Sequence, residues 1–303
     1  MKYFDLHCDT ATETFFGGTS LSFNGGHISL DRLDGIEKYT QIMAIFSRED
    51  GTDEECFDEF KQIIEYHKKE RKIKKIERAD ELDSNDFSYI WAVEDARILG
   101  SDLSRIDLLY RCGVRVITPV WAGETVIGGA FDTEKGLTEF GRSAVSIFLS
   151  LGIIPDISHS SEQTAKEIFE LAERAEIPVI ASHSCSYSVR NHPRNLRDYQ
   201  FEMVKKSGGI VGLSFCAYHL SDKAKGLCAV DDVMQHIDHY LSLGGEDILC
   251  IGADFDGAGM PCGIDGIQSI PDLYRTVEAK YGKKIADKIF YENAYNFFKK
   301  HLK

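Results

Sequence analysis

The sequence predicts an α/β fold of the (β/α)8 barrel (TIM barrel) class, and three observations predict it. Eight short apolar, β-branched runs recur along the chain. Amphipathic helical patterns lie between them. No Pro/Gly/Ser-rich linker or low-complexity stretch divides the 303 residues, so a single domain over 1–303 is expected. The alternative is an open doubly wound sheet, which usually carries a glycine-rich turn after its first strand. Here that strand runs into DTATETFFGGTSLSFNGG, which holds neither GxGxxG nor GxxxxGK followed by Ser or Thr.

The predicted strands are KYFDLHC (2–8), YTQIMAIF (39–46), YIWAVE (89–94), VRVITPVW (114–121), GIIPDISH (152–159), IPVIASH (177–183), GIVGLSF (209–215) and DILCIGADF (247–255). In the first, strict alternation puts His7 and Asp9 on one face, with Leu6 and Cys8 on the other. Helical periodicity is clearest over 56–77, 103–112, 137–152 and 160–176. The last of these opens on a serine and an acid, with Gln163 near enough to help cap it.

Composition bounds the function. With 43% hydrophobic and 28% charged residues the chain is ordinarily globular, and its net charge of −14 disfavours nucleic acid and anionic membranes as partners. The basic stretch HKKERKIKKIER (67–78) is interleaved with apolar residues and acids, the pattern of a solvated helix face. Eight cysteines occur without any CxxC pair, several in apolar runs, as expected of reduced core residues in an intracellular protein. The start has no apolar leader pattern, the end NFFKKHLK is no anchor, and no run approaches the roughly 18 apolar residues of a membrane span. The cytoplasm is the expected location.

Polar residues gather where barrel enzymes place their chemistry, at the C-terminal ends of strands. His7 and Asp9 end the first predicted strand, Glu94 the third, His159 the fifth, His183 the sixth and Asp254 the eighth, with Asp256 behind it. Each alone admits a structural role: Glu94 could pair with Arg97, His159 could support the next helix start, and Asp254 could cap its loop. Together, six such residues on five strand ends form the imidazole and carboxylate set that suits divalent ions, which would satisfy buried charges otherwise costly to hold. The remaining histidines carry less. His67 and His301 lie in charged helical stretches, His236 and His239 share a helix face, and His27 and His219 are loop residues without a clear role. Trp91 and Phe87 are expected in the core.

The ordered set DLHCDT, WAVEDA, DISHSS, ASHSCSYSVRNHPRN and GADFDG resembles the membrane dipeptidase (renal dipeptidase) family of metallopeptidases, peptidase family M19, within the amidohydrolase superfamily. The resemblance runs from residue 5 to the closing ENAYNFF. Its H-x-D start and SHS…RN segment are fairly specific, whereas H-x-D alone is weak. The resemblance implies two divalent metals, zinc foremost, at the barrel mouth. His7, Asp9 and Glu94 match the ligands of one, and Glu94, His159 and His183 those of the other, so Glu94 bridges. Asp254 matches the acid that handles protons, and Arg194 the arginine that binds the substrate's terminal carboxylate, with Arg190 a nearby competitor. The implied reaction is attack of a metal-activated bridging hydroxide on the amide bond of a small dipeptide, including dipeptides with a D-residue. Related proteins are often homodimers.

Two departures touch the substrate more than the metals. Renal-type members carry a substrate-contacting histidine after the fourth strand, and the aligned residue here is Trp121, which can stack or donate one hydrogen bond but cannot titrate. The stretch GLSFCAYHL also differs. The alternatives are therefore another amidohydrolase acting on a small amide or ester, or a metal-containing but inactive binding module.

Overall fold

The computed structural model describes residues 1–48, 50–224 and 226–303. Its strands are β1 (Lys2–Cys8), β2 (Lys38–Phe46), β3 (Lys74–Lys75), β4 (Phe87–Glu94), β5 (Val114–Thr118), β6 (Ile154–Pro155), β7 (Val211–Leu213) and β8 (Leu249–Ile251). All pairings are parallel, in the order β6-β5-β4-β2-β1-β8-β7, with β3 beside β4. The helices are α1 (Thr10–Phe16), α2 (Asp53–His67), α3 (Arg105–Arg111), α4 (Glu139–Leu151), α5 (Glu162–Ala175), α6 (Asp198–Ser207), α7 (Ala217–Leu220), α8 (Val230–Ser242), α9 (Ile270–Tyr281), α10 (Lys283–Asp287) and α11 (Asn293–His301).

The curled sheet buries both faces, as parallel sheets do. Phe4, Leu6, Ile42, Ala44, Ile90, Ala92, Val116, Ile154, Ile180, Ile210 and Cys250 form one cluster, closed at one end by Phe297, Phe298 and Leu302. Phe4 and Phe298 stack with centroids 5.3 Å apart. The alternate strand residues, such as Tyr39, Met43, Trp91, Val93 and Ile117, join the second cluster with helix residues Phe60, Ile63, Ile106, Phe148 and Phe201. Described helices include none long and apolar enough to cross a membrane.

Three expectations need correction. The stretch 177–183 is not a regular strand. It makes single parallel bridges, Asp156 to Ile180 and Ala181 to Val211, across the gap between β6 and β7. Beyond Ala181 its amides leave the ladder for side chains: Ser182 N donates to Asp156 Oδ1 at 2.8 Å and His183 N to Ser158 Oγ at 3.1 Å. Gly212 and Gly252 allow this close approach, since a Cβ on either would lie 1.9 or 1.8 Å from Ser182 O. The helix expected over 56–77 ends at His67, because Ile73 and Ile76 are buried beside the Lys74–Lys75 pairing to β4. Finally, Gln163 does not cap α5: Ser161 Oγ accepts Thr164 N at 2.9 Å, while Gln163 reaches forward to Glu167.

Candidate metal centre

The first strand reaches the site through a bulge. Asp5 pairs with Gln41 and Cys8 with Met43, so β1 carries one more residue than β2 between those pairs. A bulge re-aims the side chains beyond it. Leu6 therefore belongs to the inner cluster and Cys8 to the outer one, against the simple alternation that puts them on one face. His7 turns into the mouth beside His183, with ring centroids 3.7 Å apart. Asp5 holds the bulge, its Oδ1 accepting His7 N at 3.1 Å and Ala253 N at 2.9 Å.

Five residues converge there. Glu94 continues the inward period of Ile90 and Ala92 at the end of β4. Its Oε2 lies 3.4 Å from His7 Nε2, while its Oε1 lies 3.0 Å from His159 Nε2 and 3.3 Å from His183 Nε2. Asp9 Oδ2 is 3.7 Å from His7 Nε2. Two groups of donor atoms compact enough for a cation result, His7–Asp9–Glu94 and Glu94–His159–His183, and His7, His183 and Asp254 form a third. All are nine-tenths or more buried except His159, which is only slightly more open. Glu94 makes no pair with Arg97, whose Nε instead lies 3.2 Å from Asp53.

Burial and proximity strain these groups unless a cation joins them. Burial pushes Asp254 up, and the carboxylates of Asp9 and Glu94 push it further. Burial also raises Asp9, with Glu94 adding to it. Burial, then Arg194, lowers His159 to about 4. Burial, then His7 and Arg194, lowers His183. Burial opposes the charge of His7, but Glu94 and Asp9 outweigh it and hold the imidazole well above its usual value. In this cluster the buried His7 Nε2 and Asp9 Oδ1 have no hydrogen-bond partner among the described residues. An orphaned imidazole nitrogen and an orphaned carboxylate oxygen facing the same cluster fit a divalent cation.

A second layer fixes the rings. His159 Nδ1–H donates to Trp121 O at 3.1 Å, which leaves Nε2 to face Glu94. His183 Nδ1 lies 2.7 Å from Ser182 Oγ, whose hydroxyl donates to Asp156 Oδ2 at 2.5 Å. Asp156 also accepts Ser158 N, Ser182 N and Thr118 Oγ1. Such outer partners orient metal ligands and raise their basicity. Asp5 and Asp156 are functional supports that the motif reading passed over. Their signal was available: an acid inside an apolar strand, two or three residues before a histidine. His159 (φ 69°) and Asp254 (φ 62°) also adopt left-handed backbone, a strain of about 1–3 kcal/mol each that packed surroundings must hold. Gly257 packs against the pair of acids, because a Cβ there would lie 2.0 Å from Asp9 Oδ2 and 2.5 Å from Asp254 Oδ1. Asp256 turns away, accepting Thr10 Oγ1 and His27 N.

Two cavities open from the cluster. The mouth, of about 370 Å³, is lined by Asp9, Glu94, His159 and Asp254 of the cluster together with Phe46, Trp121, Cys216 and His219. Phe46 and Trp121 meet edge to face at 5.1 Å. A larger cavity of about 620 Å³ shares His159 and runs past Ser184 and Arg194 between α5 and α6. Arg194 is buried; it donates to His183 O and Ser184 Oγ, and its Nε has no partner. Arg190 instead pairs with the exposed Asp222 at 2.5 Å. The other histidines divide as follows. His67 donates to Ala11 O, His239 contacts Asp198, and His236 is fully buried between Ser186 N and Leu220 O. His219, without a role in the sequence reading, lines the mouth.

A curled parallel sheet with histidines and carboxylates converging at its strand ends is the arrangement of a metal-dependent hydrolase. The chain belongs to the membrane dipeptidase family, peptidase family M19, whose family model matches residues 1–301. It is similar over its full length to the solved dipeptidase AC, an M19 metallopeptidase, at 27% identity and a TM-score of 0.91, covering 99% of that chain. A metallopeptidase from Rhodobacter sphaeroides, solved with a phosphinate mimic of the dipeptide L-Ala-D-Ala, matches at 26% identity and a TM-score of 0.89 over 99% of each chain. An uncharacterized protein in the pqqA 5' region of Klebsiella pneumoniae is 32% identical over 201 residues, 62% of this chain and 72% of that protein. The chain is a metal-dependent dipeptidase.

Proposed function

We propose that this chain hydrolyses the amide bond of small dipeptides, including those with a D-residue, with two zinc ions held by His7, Asp9, Glu94, His159 and His183. The observation that carries this reading is the division of the Glu94 carboxylate, one oxygen toward His7 and the other toward His159 and His183. When bound, such a metal pair supplies Lewis acidity, lowering the pKa of water and polarising the scissile carbonyl. Mixed imidazole and carboxylate donors favour zinc.

The chain's own residues supply the rest. Asp254, raised by burial and by its acidic neighbours, takes the proton of the attacking water and passes it to the leaving amine. Arg194, buried and, among the described residues, with an unpartnered Nε and no carboxylate within ion-pair distance, receives the substrate's terminal carboxylate. The larger cavity beyond it takes the C-terminal side chain, and the Phe46–Trp121 wall packs against the N-terminal residue. The ligand of the Rhodobacter sphaeroides relative supports a D-residue at the C-terminal position. The bridges at Ile180 and Ala181 support closure of the sheet into an eight-stranded barrel forming one domain.

Zinc-reconstituted protein is to be assayed against paired L,L and L,D dipeptides. Release of free amino acids from members of both series is the expected result. Binding without turnover across the panel contradicts the proposal and favours an inactive module.

A further inference from the structure

The mouth is rich in acceptors. Five of its lining residues are carboxylates: Asp9, Glu13, Glu94, Asp254 and Asp256. Hydrolysis of an amide builds negative charge on the scissile carbonyl oxygen, and an N–H aimed at that oxygen stabilises it. The imidazoles of the cluster are engaged, Thr12 Oγ1 accepts Phe46 N at 3.1 Å, and the indole of Trp121 packs edge to face against Phe46. His219 stands apart. It follows β7 on α7, lines the mouth with Asp254 and Cys216, and packs its ring 4.9 Å from His192. Among the described residues neither of its ring nitrogens has a hydrogen-bond partner, whereas His67, His236 and His239 all do.

We infer that His219 is a catalytic residue whose imidazole N–H donates a hydrogen bond to the scissile carbonyl oxygen as that carbon becomes tetrahedral. This rests on the dipeptidase reading. Its surroundings keep the ring in the form this role needs: burial first, then Arg194, His192 and His159, push its pKa down to about 2. A neutral imidazole offers one N–H without adding a cation beside Arg194. Trp121, which lines the same cavity, packs against Phe46 and against the His159 ring at 5.9 Å, and shapes the cavity.

The test separates donor from filler. His219→Phe keeps a ring of similar size without the N–H, and His219→Gln keeps an N–H without the ring. In the zinc-loaded enzyme, His219→Phe should lower kcat on the order of 100-fold with KM nearly unchanged. It should weaken binding of a dipeptide phosphinate by a similar factor while metal content stays at the wild-type level. His219→Gln should recover a substantial part of kcat. A His219→Phe enzyme with wild-type kcat, a change confined to KM, a loss of metal, or a His219→Gln variant as impaired as His219→Phe overturns the assignment. A wild-type protein that cleaves no dipeptide sinks the dipeptidase reading itself, a distinguishable result.

Discussion

The two walls of the site are built differently. On the metal-facing wall, from β1 and β4 round to 182–183, the ligand-bearing residues are tied down: His159 Nδ1 to Trp121 O, His183 Nδ1 to Ser182 and through it Asp156, and the backbone N–H of His7 to Asp5. On the substrate-facing wall, Phe46, Trp121 and Cys216 present apolar or weakly polar surface, and the ring nitrogens of His219 have no hydrogen-bond partner among the described residues. The first wall is preorganised to hold charge. The second is left open for what the substrate brings, which is where specificity can change without disturbing the ligands.

The contrast can be broken most strongly at Asp254, which lies in the cluster and also lines the mouth. Asp254→Asn keeps the shape and removes the proton acceptor. Turnover should fall on the order of 1000-fold, with metal content by elemental analysis unchanged. A fully active variant removes Asp254 from the proton path.

His236 tests the support of the open wall. Its Nδ1 accepts Ser186 N and its Nε2–H donates to Leu220 O, linking α8 to both the Arg194 loop and α7. Burial holds its pKa at about 4 when folded, against roughly 6.5 unfolded. The unfolded state therefore binds more protons between those values. Stability is full above about pH 6.5 and falls as pH drops toward 4, by at most about 3 kcal/mol, then levels off. Denaturant unfolding across this window should show the loss in wild type and a flatter profile in His236→Gln. Equal slopes would show that other groups carry the pH dependence.

The closed wall is sharpened by Ser182→Ala, which cuts the link from His183 to Asp156. Metal affinity, measured by chelator competition, should weaken about 10- to 100-fold, while kcat of the fully loaded enzyme changes less. Unchanged affinity would make the relay ornamental. The smallest effect is expected from Gly257→Ala, whose Cβ must displace the Asp9 or Asp254 carboxylate. Affinity should drop on the order of tenfold, and wild-type affinity would mean the loop yields freely.

Much of the closed wall was legible in the sequence, because metal chemistry restricts residue types. His7, Asp9, Glu94, His159, His183 and Asp254 stand out at strand ends and do converge. What hid was backbone geometry. The bulge between Asp5 and Cys8 reverses the expected facing of Leu6 and Cys8, and no pattern of period two foretells an inserted residue. β6 and β8 end at Pro155 and Ile251, earlier than their apolar runs do, and the chain beyond them turns left-handed at His159 and Asp254. The stretch 177–183 looks like a strand in composition, yet Asp156 and Ser158 take its amides. The open wall was least legible: His219 is one histidine in a loop until the fold brings it to the same cavity as Glu94.

The central claim is that Glu94 joins two metals in a working dipeptidase. Its most direct test is metal stoichiometry per chain, measured together with dipeptide turnover in wild type and Glu94→Gln after identical zinc reconstitution. Two zinc ions per wild-type chain with turnover, and loss of both binding and turnover in Glu94→Gln, are expected. Two firmly held ions or undiminished turnover in Glu94→Gln would contradict the account.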